Sequence, residues 1–270
     1  MNRLKIPVFL VFWIIFVDTA VAADLVPDLR VAINGRSYPI GVQAVGSASV
    51  GVPIWGRTDT WRYGYARISL NAATSVVVNR VGLEAQFFPI SILGIAAGFD
   101  SGVRNFVPRF LDCSAYECEG RVDRTYLRAQ FLAAAKGVIL LLNARSEVLH
   151  SYRSGRPFFD EMTLLRGRNH GESILSLNPV LLYRFDPVWS AGGVWFYSRA
   201  LDSGGAAHLA GPVISYSEQT GFNLTAGIGV NQSVLVHPAM AFFFSAQWNL
   251  EPSLQVNDLP LRTRTYSSLF

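Results

Sequence analysis

Apolar and polar residues alternate at period two through most of the chain. In ESILSLNPVLLYRF, residues Leu175, Leu177, Pro179, Leu181, Tyr183 and Phe185 form one apolar face, while Ser176, Asn178 and Arg184 fall on the other. VVVNRVGLEAQF sets Val77, Val81, Leu83, Ala85 and Phe87 against Arg80, Gly82, Glu84 and Gln86. GFNLTAGIGVN and AMAFFFSAQWNL repeat the pattern, the second with Met240, Phe242, Phe244, Ala246, Trp248 and Leu250 on its apolar side. A helical period would scatter these residues around a wheel, so each segment predicts a strand.

Looser versions occur in RYGYARISLNA, DRTYLRAQFLA, VILLLNARSEV and AHLAGPVISYS. Three further segments, VWSAGGVWFYSR, GVQAVGSASVG and SILGIAAGF, are strand-like without a clear face. Strands of a soluble sandwich average about 5 or 6 residues. The segments here alternate for about ten, the length of a strand that crosses a bilayer. Hydrocarbon cannot satisfy an unpaired backbone group, so only helices and closed barrels span it. The pattern therefore predicts an all-β fold: a transmembrane antiparallel up-and-down β-barrel of about 12 strands, with 10 or 14 as alternatives. Tyr183, Phe185, Phe242, Phe244 and Trp248 are its expected lipid-facing aromatics.

The ends of the chain bear on compartment. Arg3 and Lys5 precede an apolar run at 6–17, followed by Ala20, Val21 and Ala22. This is the grammar of a secretory signal peptide over 1–22, and the run is well short of the about 20 residues that a spanning helix needs. The rest, 23–270, reads as one barrel domain, with 23–39 as a periplasmic lead-in or plug. The formal charge of +4 is too mild to argue for a nucleic-acid partner. Cys113 and Cys118, close together and in an oxidising compartment, predict a local disulfide; two sulfurs without a partner pair predict no metal, and nothing implies a cofactor.

Signal peptide, alternating strands and the C-terminal Phe270 together resemble the bacterial outer-membrane β-barrel proteins, porin-like in type. The resemblance implies residence in the outer membrane, contact with its lipids, and recognition of the final strand by the barrel-assembly machinery. Phe270 and Tyr266 fit that signal, while Ser268 stands where a hydrophobic residue is usual. Taking RTRTYSSLF as the last strand has a cost. Counting back from it puts the two longest loops, 100–122 and 151–171, on the periplasmic side, whereas long loops of such barrels face outward.

The alternation assigns Arg67, Arg80, Glu84, Arg124, Arg128, Arg145, Glu147 and Arg184 to the lumen. Arginine-rich linings favour anions, so the first functional expectation is a small, anion-leaning pore, with a filled structural barrel as its alternative. A second class is an outer-membrane lipid-modifying hydrolase or protease, for which His170, Ser173 and Asp160 are the candidate base, nucleophile and acid. A third is an oligomeric structural or lipid-interacting barrel, in which outward aromatics join copies into a homo-oligomer.

Overall fold

A computed structural model describes residues 25–250 except 39, 57–61, 76, 105–112, 119, 153–154, 161–162, 164, 219–220 and 235–236. The signal peptide and the segment with Tyr266 and Phe270 lie outside the described residues. In chain order the strands are β1 (Val26–Ser37), β2 (Ile40–Trp55), β3 (Gly64–Ser75), β4 (Val78–Ile90), β5 (Leu93–Arg104), β6 (Gly120–Ala135) and β7 (Val138–Ser151). There follow β8 (Phe158–Asp160), β9 (Leu165–Gly167), β10 (Gly171–Arg184), β11 (Trp189–Ala200), β12 (Ala206–Ser217), β13 (Phe222–Ser233) and β14 (Ala239–Asn249). Twelve of them form one closed antiparallel barrel in up-and-down order, and β8 with β9 makes a separate two-stranded hairpin.

Closure pairs β1 with β14, Arg30 standing opposite Asn249 and Ala32 opposite Gln247. The segment 23–39, expected as a lead-in or plug, thus supplies a wall strand. It escapes recognition because Asp28, Arg30 and Arg36 give it a polar look. All three point inward, while Leu29, Val31 and Ile33 between them are exposed on the outer face. The number of strands agrees with expectation, but their membership shifts by one at the N-terminal end, and the wall is complete at Asn249. Both described chain ends then share one rim. The β5–β6 and β7–β10 connections lie at the opposite rim, as outward-facing loops should. The first is also shorter than expected, since β5 runs to Arg104 and β6 starts at Gly120.

The wall strands alternate between an inner and an outer face. Ile68 is 67% exposed outside and its neighbour Arg67 3% exposed inside, so a single residue step separates lipid-facing from lumen-facing chemistry. The strands left without a face now have one: Trp189 and Trp195 point out, Ser190, Val194 and Phe196 in. At the rim of the chain ends the outer surface carries a belt of rings. Trp189, Tyr216, Phe222 and Trp248 follow one another at 5.0, 6.3 and 5.2 Å between centroids, and Trp55 meets Phe87 at 5.7 Å. Such a girdle marks the depth of a membrane interface.

The interior is packed, and its two halves differ in chemistry. Inner residues of β6, β7, β10 to β12 and β14 form one buried apolar cluster, with Leu132, Leu141, Leu182, Phe196, Leu209 and Phe243. Glycine makes this packing possible at Gly227, where an added Cβ would stand 2.4 Å from the Phe243 ring. From β1 to β7 the inner face is dominated by charge.

Candidate functional site in the lumen

The charged half is built by strand register. Directly opposed inner residues run from Arg30 through Ser47, Asn71, Gly82 and Asp100 to Arg124. The adjacent row runs from Asp28 through Ser49, Ser69, Glu84 and Gly98 to Tyr126. Small residues between charged ones let long side chains from different strands meet over the sheet.

They meet as a ladder of ion pairs. Asp28 pairs with Arg30 and accepts from Arg67 Nη1 at 2.8 Å. Arg67 Nε donates to Gln86 Oε1 at 2.8 Å, and Gln86 donates onward to Glu84. Glu84 also accepts from Tyr126 Oη and Arg128 Nη2, both at 3.0 Å. The Arg145 guanidinium lies 3.8 Å from the centroid of the Tyr126 ring and reaches Glu147 at 2.9 Å. Asp100 gathers Arg80 at 3.3 Å, Arg145 at 3.7 Å and Arg124 at 4.0 Å.

At the loop end the ladder joins the hairpin. Phe158, Phe159, Asp160 and Leu165 are buried although they belong to a polar loop. Phe158 and Leu165 pack on the inward Val122, Leu149, Ile174, Ala200 and Ala207. Gly167 gives the Phe158 ring its place, for a Cβ there would lie 2.3 Å from the ring. Asp160 Oδ2 accepts from the Thr163 backbone N–H at 2.9 Å and its hydroxyl at 2.6 Å, which shapes the turn. Asp160 Oδ1 accepts from Arg124 Nη2 at 2.6 Å, and Arg124 also approaches Glu147 at 3.3 Å. Burial opposes the Asp160 charge, but Arg124, the Thr163 bonds and Arg80 outweigh it, holding the carboxyl below its usual range.

The cysteine loop clamps this hairpin from outside. Cys113 and Cys118 form a disulfide. Glu117, within that bridge, donates its N–H to Pro157 O at 2.8 Å, and Arg156 donates to Cys113 O at 2.9 Å. Arg104 at the end of β5 donates to the carbonyls of Phe159 and, at 3.1 Å, Glu117.

All eight residues assigned to the lumen from sequence face inward. Arg67, Arg80, Glu84, Arg124, Arg128, Arg145 and Glu147 belong to the ladder, while Arg184 sits near the other rim, opposite Ser190 in register. Gln86, already on the polar side of its strand, joins them, and so do Asp28, Arg30, Asp100 and Tyr126, unforeseen; the carboxylates of Asp28 and Asp100 moderate the expected excess of arginine. The signal for Asp28 and Arg30 was present in the alternation of VPDLRVAINGRS. A cavity of about 130 Å³ opens over the ladder, edged by Arg30, Arg80, Arg128, Arg145, Glu84 and Asp100. His170, Ser173 and Asp160 are not brought together. Asp160 is buried in the lumen, His170 is exposed in the loop, and among the described residues no hydrogen bond joins any two of them.

No protein-family model and no curated protein matches the chain. Solved structures with a similar course include an outer-membrane channel from Pseudomonas putida F1, at 9% identity and a TM-score of 0.45 over 86% of this chain and 99% of that one. The KdgM porin aligns at 13% identity and 0.43, over 82% and 98%. The β domain of the Bordetella autotransporter BrkA aligns at 12% and 0.42, over 83% and 98%. The chain has the fold of an outer-membrane β-barrel. Its own closed wall, apolar outer face and aromatic belt carry that assignment.

Proposed function

We propose that this barrel is a narrow outer-membrane channel that favours small anions and rests closed beneath the β8–β9 hairpin. The observation that carries the reading is the inner-face cavity edged by four arginines, Arg30, Arg80, Arg128 and Arg145, directly on the ion-pair ladder. Positive rings with low-dielectric walls concentrate anions, and the inward hairpin supplies the closure. Export by the signal peptide at 1–22, insertion by the assembly machinery through Tyr266 and Phe270, and a solvent of outer-membrane lipid complete it. The outward aromatics also offer a face for a homo-oligomer.

Recording from planar bilayers tests the proposal. Replacing 158–167 by a short Gly-Ser linker should turn brief, rare openings into a steady conductance with anion preference, and Arg80→Glu or Arg128→Glu should lower that preference. A silent bilayer after hairpin removal would favour the second reading, a filled structural barrel. That alternative draws on the near-complete burial of Leu141, Val180 and Leu182 on the apolar inner face.

A further inference from the structure

Asp160 is a loop residue whose carboxylate lies 1% exposed among arginines of the barrel wall. Its two oxygens divide their work: Oδ2 is held by Thr163 of its own loop, and Oδ1 is presented to Arg124. Arg80 of β4 stands beside Arg124, the two sharing Asp100 at 3.3 and 4.0 Å. Strands β4 and β6 flank β5 in the wall, so the loop carboxylate meets guanidinium groups that neighbouring strands bring together.

The arginines do not depend on the hairpin for their placement. Arg124 is braced by Glu147 at 3.3 Å and Asp100 at 4.0 Å, and Arg80 by Asp100 at 3.3 Å. Withdrawal of the hairpin would leave a preorganised cationic pocket facing the loop rim. A bidentate or end-on guanidinium pair is the usual partner of a carboxylate, and here the carboxylate arrives on a tether.

We infer that Asp160 is an intramolecular stand-in for the carboxylate group of a solute entering from the loop rim, bound by Arg124 with Arg80 beside it. Solute and hairpin compete for one site, so occupancy by solute releases the hairpin. The solute's passage rests on the channel reading; the site itself does not.

The test uses the full mature chain refolded in detergent, with citrate as probe and chloride at matched ionic strength as control. Because a tethered competitor lowers apparent affinity by the fraction of empty sites, Asp160→Asn should bind citrate about tenfold more tightly than wild type by calorimetry. Adding Arg124→Gln should abolish the gain. In wild type, citrate but not chloride should speed amide hydrogen exchange across 158–167. Unchanged affinity in a folded Asp160→Asn barrel, or exchange indifferent to citrate, would overturn the inference. If the variant fails to fold, the wild-type exchange measurement decides alone. A citrate effect without conductance supports the site and refutes the channel, whereas conductance without a citrate effect does the reverse.

Discussion

Arg30 on β1 stands directly opposite Asn249 on β14, the last residue of the last described strand. The seam is extended by backbone pairing from Arg30 to Arg36 and by Ser245 Oγ donating to Asn34 Oδ1 at 2.7 Å. A chain ending at Leu250 should therefore refold in detergent into a closed barrel with heat-modifiable gel mobility. In cells the same truncation should lower outer-membrane yield by removing Tyr266 and Phe270. Failure of the truncated chain to refold would show that the tail takes part in the wall.

Glu84 is the node of the ladder, accepting from Tyr126, Arg128 and Gln86 while 4% exposed. Losing one partner of a buried pair strands the other charge, at a cost of about 3 to 5 kcal/mol. Glu84→Ala should lower unfolding free energy from lipid vesicles by roughly that amount. Removing the stranded cation in Glu84→Ala/Arg128→Ala should restore part of it. A double mutant as unstable as the sum of both singles would mean that the pair is not coupled.

Period-two alternation made the wall legible because lipid and lumen impose opposite chemistry on successive residues. It therefore placed Leu181 outside and Arg184 inside without any tertiary information. It misjudged β1, where three charges hide the apolar partners Leu29, Val31 and Ile33, and it left Asp100 in a loop because a carboxylate ends an apolar run. Pairing was beyond its reach. The bond from Arg124 to Asp160 joins residues 36 apart through the inward fold of a loop, which no local period encodes.

Gly192 and Gly193 are neighbours in sequence with opposite tolerances. A Cβ on Gly192 would lie 1.9 Å from the Leu181 carbonyl oxygen, and one on Gly193 would meet nothing nearer than 3.7 Å. Gly192→Ala should destabilise the barrel by about 1 to 3 kcal/mol through forced separation of β10 and β11. Gly193→Ala should be close to neutral. Denaturant unfolding of both variants distinguishes them, and equal effects would contradict the close strand approach.

Leu83 pairs with Leu70 across β3 and β4, both exposed on the outer face between the rims. Arginine at such a depth costs about 2 to 4 kcal/mol in a bilayer, much less near an interface. Leu83→Arg should show that loss in vesicles and little of it in detergent micelles, where the head group reaches water. Equal stability in both media would argue that this face does not meet lipid.

Docking of the hairpin should respond to acid in one direction only. Asp160 binds Arg124 as a carboxylate, and its docked affinity for protons is lower than in the free loop, where an aspartate titrates at about 3.9. The resulting stabilisation is complete above that value and is lost as pH falls through the lower, docked one. Protonation removes the attraction between the hairpin and Arg124, which Glu147 and Asp100 hold in the wall. Amide exchange across 158–167, corrected for its intrinsic pH dependence, should stay slow from neutral pH down to about 4 and accelerate below it. Asp160→Asn should exchange rapidly at every pH. A wild-type hairpin equally protected on both sides of that transition would show that the apolar contacts of Phe158 and Leu165, rather than the ion pair, hold it in the lumen.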